Sequence, residues 1–242
     1  MYRANHRAFS TIITASHIKQ LKTKGYTIIK NPPAAKICQE AVSLFTETSK
    51  FRYPPLEEFA RTKELDQVYS AAFNSLYKLA GVTLSEISSS FPVPSSSVLP
   101  IDTSLTNQPF SAKKLPYNNS FASIFNFNHG FLNKHKDRGL ITLVNGFATS
   151  PNTNRVSLWC KSHHGNWVDI GVEASINDIV IFSGEQLEEA TNGEFKAVDH
   201  ACRVTPDGER INTRLLTEPE AEGFGNRQSV ALVLCEGSEG VS

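Results

Sequence analysis

The stretch HKDRGLITL, residues 135–143, places a histidine and an aspartate two positions apart and follows them with an apolar run. On an extended backbone the side chains of residues i and i+2 point to the same face, so His135 and Asp137 can reach one point in space. A second imidazole, His200, lies in a later segment that also has the composition of a strand. Two histidines and one carboxylate on one side of a metal, with the other positions open, are typical of a non-haem Fe(II) oxygenase.

A second pair of polar residues with the same spacing begins a later apolar run. Arg227 and Ser229 lie two positions apart at the start of the stretch RQSVALVLC, residues 227–235. A guanidinium forms parallel, charge-assisted hydrogen bonds with a carboxylate, and a serine hydroxyl can donate another. We therefore predict that Arg227 and Ser229 hold the far carboxylate of a dicarboxylate co-substrate.

The sequence around these motifs resembles one known family. Residues 184–200, GEQLEEATNGEFKAVDH, are similar to the segment before the second iron histidine of the isopenicillin N synthase-like 2-oxoglutarate/Fe(II) dioxygenases. Residues 135–143 resemble that family's first metal motif and the strand behind it, and residues 227–231 resemble its Arg-x-Ser strand. The resemblance covers roughly residues 118–236, where order, flanks and hydrophobic pattern agree.

This resemblance implies a mainly β fold with flanking helices, a double-stranded β-helix or jelly roll with N-terminal helices. It implies an enzyme that uses Fe(II), 2-oxoglutarate and O2 to hydroxylate or desaturate an organic, small-molecule substrate, with release of succinate and CO2. The implied iron ligands are His135, Asp137 and His200. The implied 2-oxoglutarate contacts are Arg227, Ser229 and Asn126.

Two features of the family pattern leave the cofactor and the function open. Family members commonly carry Asn-x-Tyr before the first metal motif, and here Asn126 is followed by Asn128 in the tyrosine position. Some members use no 2-oxoglutarate although they have an Arg-x-Ser, so the use of another reductant remains open. An oxygenase that modifies a protein or a nucleic acid, and a non-catalytic binding descendant of the fold, also fit the sequence.

Three further residues are candidates for substrate contact. His163 and His164 precede Gly165 in a predicted hairpin turn at the same end of the fold as the first metal motif. Adjacent residues in such a turn mostly point apart into water, which disfavours joint metal binding and leaves substrate contact as an alternative to a solvated turn. Phe195 lies five positions before His200 and is predicted to form part of the substrate wall.

The overall composition limits the classes of partner. Among 242 residues, 24 basic and 24 acidic side chains give a formal net charge of zero, which argues against a strong binder of nucleic-acid backbone. Four cysteines without close paired spacing indicate reduced thiols and a cytoplasmic protein. Residues 1–39 contain no acidic side chain, so an organellar targeting segment is an alternative to a short tail that runs into the fold. No apolar run reaches the length of a membrane span.

The N-terminal part of the chain, residues 1–110, is predicted to be a mixed extension rich in helices. Its predicted elements are a helix over 16–23 capped by Ser16 and ended by Gly25, a strand over 26–29, a helix from Pro33 or Ala34, and a helix over 64–79 that stops at Gly81. A loop rich in Ser and Pro follows over 88–109.

Residues 111–242 are predicted to form the catalytic core from short apolar strands. The predicted strands are 121–127, 139–144, 155–161, 166–170, 178–182, 195–204 and 228–235. Following the chain from strand to strand places His135 and the 184–194 segment at the open mouth of the jelly roll, and Arg227 at its closed end. The two long connections, 145–154 and 205–226, are predicted to lie at the closed end and to affect stability or assembly more than substrate entry.

Overall fold

The computed structural model describes residues 12–43, 51–53, 63–90, 121–126, 132–148, 154–206 and 227–234, and the structural statements below concern these residues. The strands are β1 (Tyr26–Ile29), β2 (Phe51–Tyr53), β3 (Phe121–Asn126), β4 (Leu132–His135), β5 (Ile141–Ala148), β6 (Asn154–Lys161), β7 (Trp167–Asp169), β8 (Ile179–Ser183), β9 (His200–Pro206) and β10 (Arg227–Leu234). The helices are α1 (Ala15–Lys24), α2 (Pro33–Ser43), α3 (Lys63–Ser90), α4 (Ile170–Glu173) and α5 (Glu185–Ala190).

The strands form two antiparallel sheets. The larger has the order β1-β8-β5-β10-β3-β2, and the smaller has the order β4-β9-β6-β7. From β3 onward the chain crosses repeatedly between the two sheets, which is the connectivity of a jelly roll. The structure therefore confirms the predicted mainly β fold with flanking helices.

Strand β8 shows how the two faces of the larger sheet are covered, because all five of its residues are buried. Ile179 and Ile181 pack into the core cluster that includes α1, α2 and α3, and we call their side of the sheet the outer face. Val180 and Phe182 pack with Cys160 of β6 in a second cluster between the two sheets, and we call their side the inner face. A near-continuous apolar run in β8 is thus explained by burial on both faces.

Helix α3 continues beyond the predicted stop at Gly81 and ends at Ser90. Leu84 and Ile87 have no exposed surface and pack in the same core as Phe73, which lies earlier in the helix. A glycine inside a helix costs about 1 kcal/mol, whereas burying a leucine or isoleucine side chain contributes about 1.5–3 kcal/mol. Packing therefore outweighs the tendency of Gly81 to end the helix, and residues 88–90 are helical. Residues 91–109 of the predicted loop lie outside the described residues.

Helix α1 agrees with its prediction within one residue at each end, but its N-cap is Thr14 and the predicted cap Ser16 lies inside the helix. The backbone N–H of Thr14 donates to Nδ1 of His17 at 3.1 Å. This histidine takes the place of the glutamate that usually closes a capping box. Gly25 ends the helix as predicted, with φ of 80° and its N–H donating to the Leu21 carbonyl at 2.9 Å.

Several elements of the β region differ from their predicted limits. The short strands β2 and β4 and the helices α4 and α5 were absent from the predicted elements. Strand β9 begins at His200, so the predicted strand start at residue 195 is wrong. Strand β5 extends to Ala148, so the connection after it is 149–153 and is shorter than the predicted 145–154.

The strand registers agree with the predicted directions of the chain. Arg227 pairs with Ala148 at one end of the larger sheet, and Pro206 pairs with Asn154 at the corresponding end of the smaller sheet. The chain therefore enters and leaves the connections 149–153 and 207–226 at the end of the jelly roll opposite His135. Residues 207–226 themselves lie outside the described residues.

The N-terminal region contributes to the larger sheet. Strand β1 pairs with β8, and β2 pairs with β3, so residues before position 110 supply both edge strands. The division into an extension over 1–110 and a core over 111–242 stays a prediction. None of the described helices is both long enough and apolar enough to cross a membrane.

Candidate metal centre

Three residues from separate positions in the sequence meet at the mouth of the jelly roll. His135 is the last residue of β4, and His200, the first residue of β9, lies directly opposite it in the antiparallel pair. Asp137 follows in the loop that leads into β5. One potential ligand atom from each residue lies within 4.8 Å of the others. The structure thus brings together the three residues that the spacing and the resemblance had singled out.

The aspartate carboxylate lies between the two imidazoles. Oδ1 of Asp137 is 3.6 Å from Nε2 of His135, and Oδ2 is 3.6 Å from Nε2 of His200. Oδ2 is buried and has no hydrogen-bond partner among the described residues. A buried carboxylate oxygen without a donor is unfavourable unless a cation satisfies it. Two imidazole nitrogens and this carboxylate therefore form a donor set that fits Fe(II).

The environment of His200 holds it in the form that can bind a metal. Its Nδ1 lies 3.2 Å from the carbonyl oxygen of Val198, and because a carbonyl only accepts, Nδ1 carries the proton and Nε2 presents a lone pair. Burial lowers the pKa of His200; Asp137 opposes this shift and His135 adds to it. The ring of Phe182 stacks on the His200 ring at 4.9 Å with an angle of 5° between the planes. Both contacts restrict the orientation of the imidazole.

The start of helix α5 fixes the loop that carries the aspartate. The first N–H groups of a helix need acceptors from outside the helix. Here the N–H of Glu185 donates to the carbonyl of Asp137 at 2.8 Å, and the N–H of Gly184 donates to the carbonyl of Leu140 at 2.9 Å. The backbone on both sides of the loop is therefore attached to the segment that leads from β8 to the second histidine.

Glu188, one turn further along α5, contacts the segments around both histidines. Its Oε2 accepts a hydrogen bond from the N–H of Ala197 at 3.0 Å, three residues before His200. The same oxygen lies 3.7 Å from Nζ of Lys136, which stands between His135 and Asp137 in the sequence. Helix α5 thus links the two parts of the chain that supply the candidate ligands.

The predicted 2-oxoglutarate residues lie on β10 and β3. Positions 227 and 229 of β10 pair with positions 148 and 146 of β5. Every second residue of a strand lies on the same face, so these positions belong to one alternating set with Val144, which packs on the inner face. Position 126 pairs with position 228, which belongs to the other alternating set. Directly opposed residues in an antiparallel pair share a face. The register therefore puts positions 227 and 229 in one alternating set and position 126 in the other, and 2-oxoglutarate binding by Arg227, Ser229 and Asn126 stays a prediction.

The three candidate substrate residues have different environments. His163 and His164 are both exposed, in the turn between β6 and β7, and neither belongs to the group formed around Asp137. His163 lies against the start of β1, where its Nε2 would be 3.1 Å from a Cβ placed on Gly25. Phe195 is 1% exposed and packs in the main core under the helices. Substrate contact by these three residues stays a prediction.

Comparison with known proteins agrees with this geometry. Residues 117–219 match the family described as the 2OG-Fe(II) oxygenase superfamily. This segment contains the candidate metal residues and the linking helix α5. Over these residues the chain is similar to this superfamily, and an isopenicillin N synthase-like subclass is consistent with that match. The chain is a 2-oxoglutarate/Fe(II)-dependent dioxygenase whose cofactors are Fe(II) and 2-oxoglutarate.

Solved structures show the same fold at low sequence identity. A putative oxygenase from Shewanella oneidensis has a TM-score of 0.61 and 17% identity, with 97% of this chain and 88% of that chain covered. A full-length Neurospora crassa protein, in complex with alpha-KG and 5-formyluracil, has a TM-score of 0.59 and 14% identity, with 91% and 77% covered. The dioxygenase for auxin oxidation 1 of Arabidopsis thaliana, in complex with 2-oxoglutarate, has a TM-score of 0.56 and 14% identity, with 96% and 90% covered.

Sequence reasoning missed the residues that orient the candidate ligands. Phe182 is one of several apolar residues in β8, and only the fold shows that it faces His200. Glu188 lies in a run of acidic residues, and such a run is usually a solvated helix surface. Gly184 lies between a predicted strand and the next segment. A glycine at such a position can indicate that two backbone segments approach each other closely.

Proposed function

We propose that His135, Asp137 and His200 bind Fe(II), and that Arg227 and Ser229 bind the distal carboxylate of 2-oxoglutarate. The substrate is an organic small molecule that is hydroxylated or desaturated. The observation that carries this proposal is the buried oxygen of Asp137, which has no donor among the described residues and faces the Nε2 atom of His200.

Residues at the two ends of the jelly roll have different proposed roles. At the mouth, His135, Asp137 and His200 would hold Fe(II) from one side, which would leave the other side open to the co-substrate. At the other end, the guanidinium of Arg227 pairs with a carboxylate, which orients 2-oxoglutarate along the inner face. When bound, Fe(II) would supply the oxidative chemistry. In that reaction 2-oxoglutarate and O2 are converted into succinate and CO2, and one C–H bond of the substrate is hydroxylated.

Orientation and exclusion of water are the protein's remaining tasks. Phe182 and the Val198 carbonyl hold the His200 ring, so its Nε2 keeps one direction. The apolar cluster between the sheets, which includes Leu158 and Val180, separates the site from solvent on that side. A dry and rigid surrounding favours reaction at the bound substrate over loss of the oxidising equivalents to water.

The proposed substrate class and location rest on several observations. Zero net charge disfavours a nucleic-acid backbone as partner. The solved Neurospora crassa structure contains 5-formyluracil, and the Arabidopsis dioxygenase is named for auxin oxidation, so two proteins of this fold are associated with small organic compounds. Cys38 is a free and buried thiol, which supports a reducing, cytoplasmic setting.

Slow turnover of 2-oxoglutarate in the absence of substrate tests the proposal. We expect the purified protein to convert 2-oxoglutarate to succinate when Fe(II) and O2 are supplied, because one chain carries both the proposed iron ligands and the proposed carboxylate-binding residues. Succinate is measured against a His200→Ala variant that removes one proposed ligand. Succinate formation equal to that of the variant would contradict the proposed use of 2-oxoglutarate.

A further inference from the structure

A buried hydroxyl on β5 has no partner in the part of the chain that the structure describes. Thr142 is 3% exposed, and its Oγ1 is buried without a hydrogen bond. Strand β5 is paired with β10 on one side and with β8 on the other, so the neighbouring backbone groups are used in the sheet. A hydroxyl can donate one hydrogen bond, and leaving it unpaired in the interior is unfavourable. Valine would fill the same space without that cost.

The hydroxyl lies on the inner face at the level of the metal centre. Thr142 is directly opposite Phe182 in the antiparallel pair, and opposed residues share a face. The ring of Phe182 stacks on His200, so this face of the sheet is the one that borders the candidate ligands. Val144, two positions further along β5, packs in the inner cluster and confirms the alternation.

The same face leads from Thr142 to the proposed carboxylate site. On its other side Thr142 pairs with position 233 of β10, and the alternating set continues along that strand to positions 229 and 227. Thr142 therefore stands at the metal end of a line of inner-face positions that ends at Arg227. A molecule bound between the metal centre and Arg227 lies along this line.

Two other buried polar atoms on β5 and β8, which have no partner among the described residues, have a different orientation. Ser183 pairs with Ile141, which packs in the outer core, so its hydroxyl belongs to the outer face. Asn145 also falls in the outer set, and its amide nitrogen donates to carbonyls of the loop before β8. The unpartnered oxygen of Asp137 and the hydroxyl of Thr142 both border the candidate metal centre, and the first is explained by a cation.

We infer that Thr142 is a further co-substrate-binding residue, whose hydroxyl donates a hydrogen bond to the keto-acid end of 2-oxoglutarate. This inference rests on the proposed function. The keto-acid end of 2-oxoglutarate offers only acceptor oxygens, which match the donor that Thr142 has free. The position of Thr142 at the level of His200 assigns it to the end nearest the metal, whereas Arg227 and Ser229 bind the distal carboxylate.

The test compares Thr142→Val with Thr142→Ser and measures the affinity for 2-oxoglutarate in the presence of Fe(II) without oxygen. We expect the valine variant to bind 2-oxoglutarate roughly 10- to 100-fold more weakly, since it loses one hydrogen bond to a charged group. We expect the serine variant, which keeps the hydroxyl, to retain most of the affinity. Fe(II) affinity, measured without 2-oxoglutarate, is expected to stay within about twofold of the wild type in both variants.

Two controls separate a ligand contact from a structural role. Ser183→Ala removes a buried hydroxyl on the outer face and is expected to leave 2-oxoglutarate affinity unchanged. The unfolding free energy of the ligand-free Thr142→Val protein is expected to equal or exceed that of the wild type, because an unpaired hydroxyl has been removed. If Thr142→Val does not fold, Thr142→Ala lacks the same hydroxyl and replaces it in the comparison.

The outcomes distinguish this inference from the proposed function. Wild-type affinity for 2-oxoglutarate in the hydroxyl-free variant would overturn the role of Thr142 and leave the proposed function intact. Failure of the wild-type protein to bind 2-oxoglutarate in the presence of Fe(II) would instead overturn the proposed function, and the inference with it. Weakened binding in both Thr142→Val and Thr142→Ser would assign the effect to packing and would also contradict the hydrogen bond.

Discussion

Replacing Asp137 with alanine is expected to abolish Fe(II) binding, whereas replacing Arg227 with alanine is expected to preserve it and raise the requirement for 2-oxoglutarate. Asp137 supplies the only anion of the three-residue group, and its two oxygens face both imidazoles at 3.6 Å. Without it, two neutral ligands remain to hold a divalent cation. Arg227 is proposed to pair with the distal carboxylate of 2-oxoglutarate, and loss of such a pair in a buried site costs on the order of 2–5 kcal/mol, or roughly 30- to 5,000-fold in affinity.

The two variants are measured by anaerobic Fe(II) titration and by the dependence of succinate formation on 2-oxoglutarate concentration. Asn126→Ala is the matched control, because position 126 pairs with position 228 and belongs to the other alternating set of the sheet. It is expected to change the 2-oxoglutarate requirement by no more than about twofold. Loss of iron binding to the same extent in the Asp137 and Arg227 variants would contradict the division of roles.

Gly184→Ala is expected to weaken Fe(II) binding and to destabilise the fold, although Gly184 is not a proposed ligand. A Cβ at position 184 would lie 3.0 Å from the Asp137 carbonyl oxygen and 2.8 Å from the Gly139 carbonyl carbon, and it would overlap the Gly139 carbonyl oxygen. The obstacle is backbone, so either the Asp137 loop or the start of α5 must move. Overpacking of this kind costs about 1–3 kcal/mol, and moving the loop displaces a ligand.

Gly81→Ala provides the matched control for this glycine. A Cβ at position 81 has nothing within 4 Å, and Gly81 lies inside α3. Alanine there is expected to leave iron binding unchanged and to stabilise the protein by up to about 1 kcal/mol. Urea unfolding of the metal-free proteins and Fe(II) titration provide the two measurements. Wild-type stability and iron affinity in the Gly184 variant would show that the loop and helix are not held by close approach.

Local spacing was sufficient to predict that His135 and Asp137 lie together. The side chains of His135 and Asp137 share a face because two positions on an extended chain repeat the direction of the side chain. The resemblance then placed His200 beside them, and the structure shows the two histidines as cross-strand partners. The predicted direction of each strand came from following the chain through the fold that the resemblance implies. The pairing of Arg227 with Ala148 agrees with that prediction.

The features that sequence reasoning missed depend on contacts between distant segments. Helix α3 continues past Gly81 because Leu84 and Ile87 are buried in the core. The cost of a glycine in a helix is a local property, so it does not predict that burial. Strand β4, with the sequence LNKH, has no apolar alternation and exists because β9 pairs with it. The stacking of Phe182 on His200 likewise joins two sheets and has no signal in either strand alone.

One chain is proposed to hold Fe(II) through His135, Asp137 and His200 and to bind 2-oxoglutarate beside it. Anaerobic titration of the purified protein with Fe(II) and then 2-oxoglutarate tests this most directly, because the chelate gives a weak visible charge-transfer band. We expect the band to appear in the wild type only when both are present, to saturate, and to be absent in His200→Ala. Iron binding by the wild type without any band on saturation with 2-oxoglutarate would show that the two do not bind together at this site.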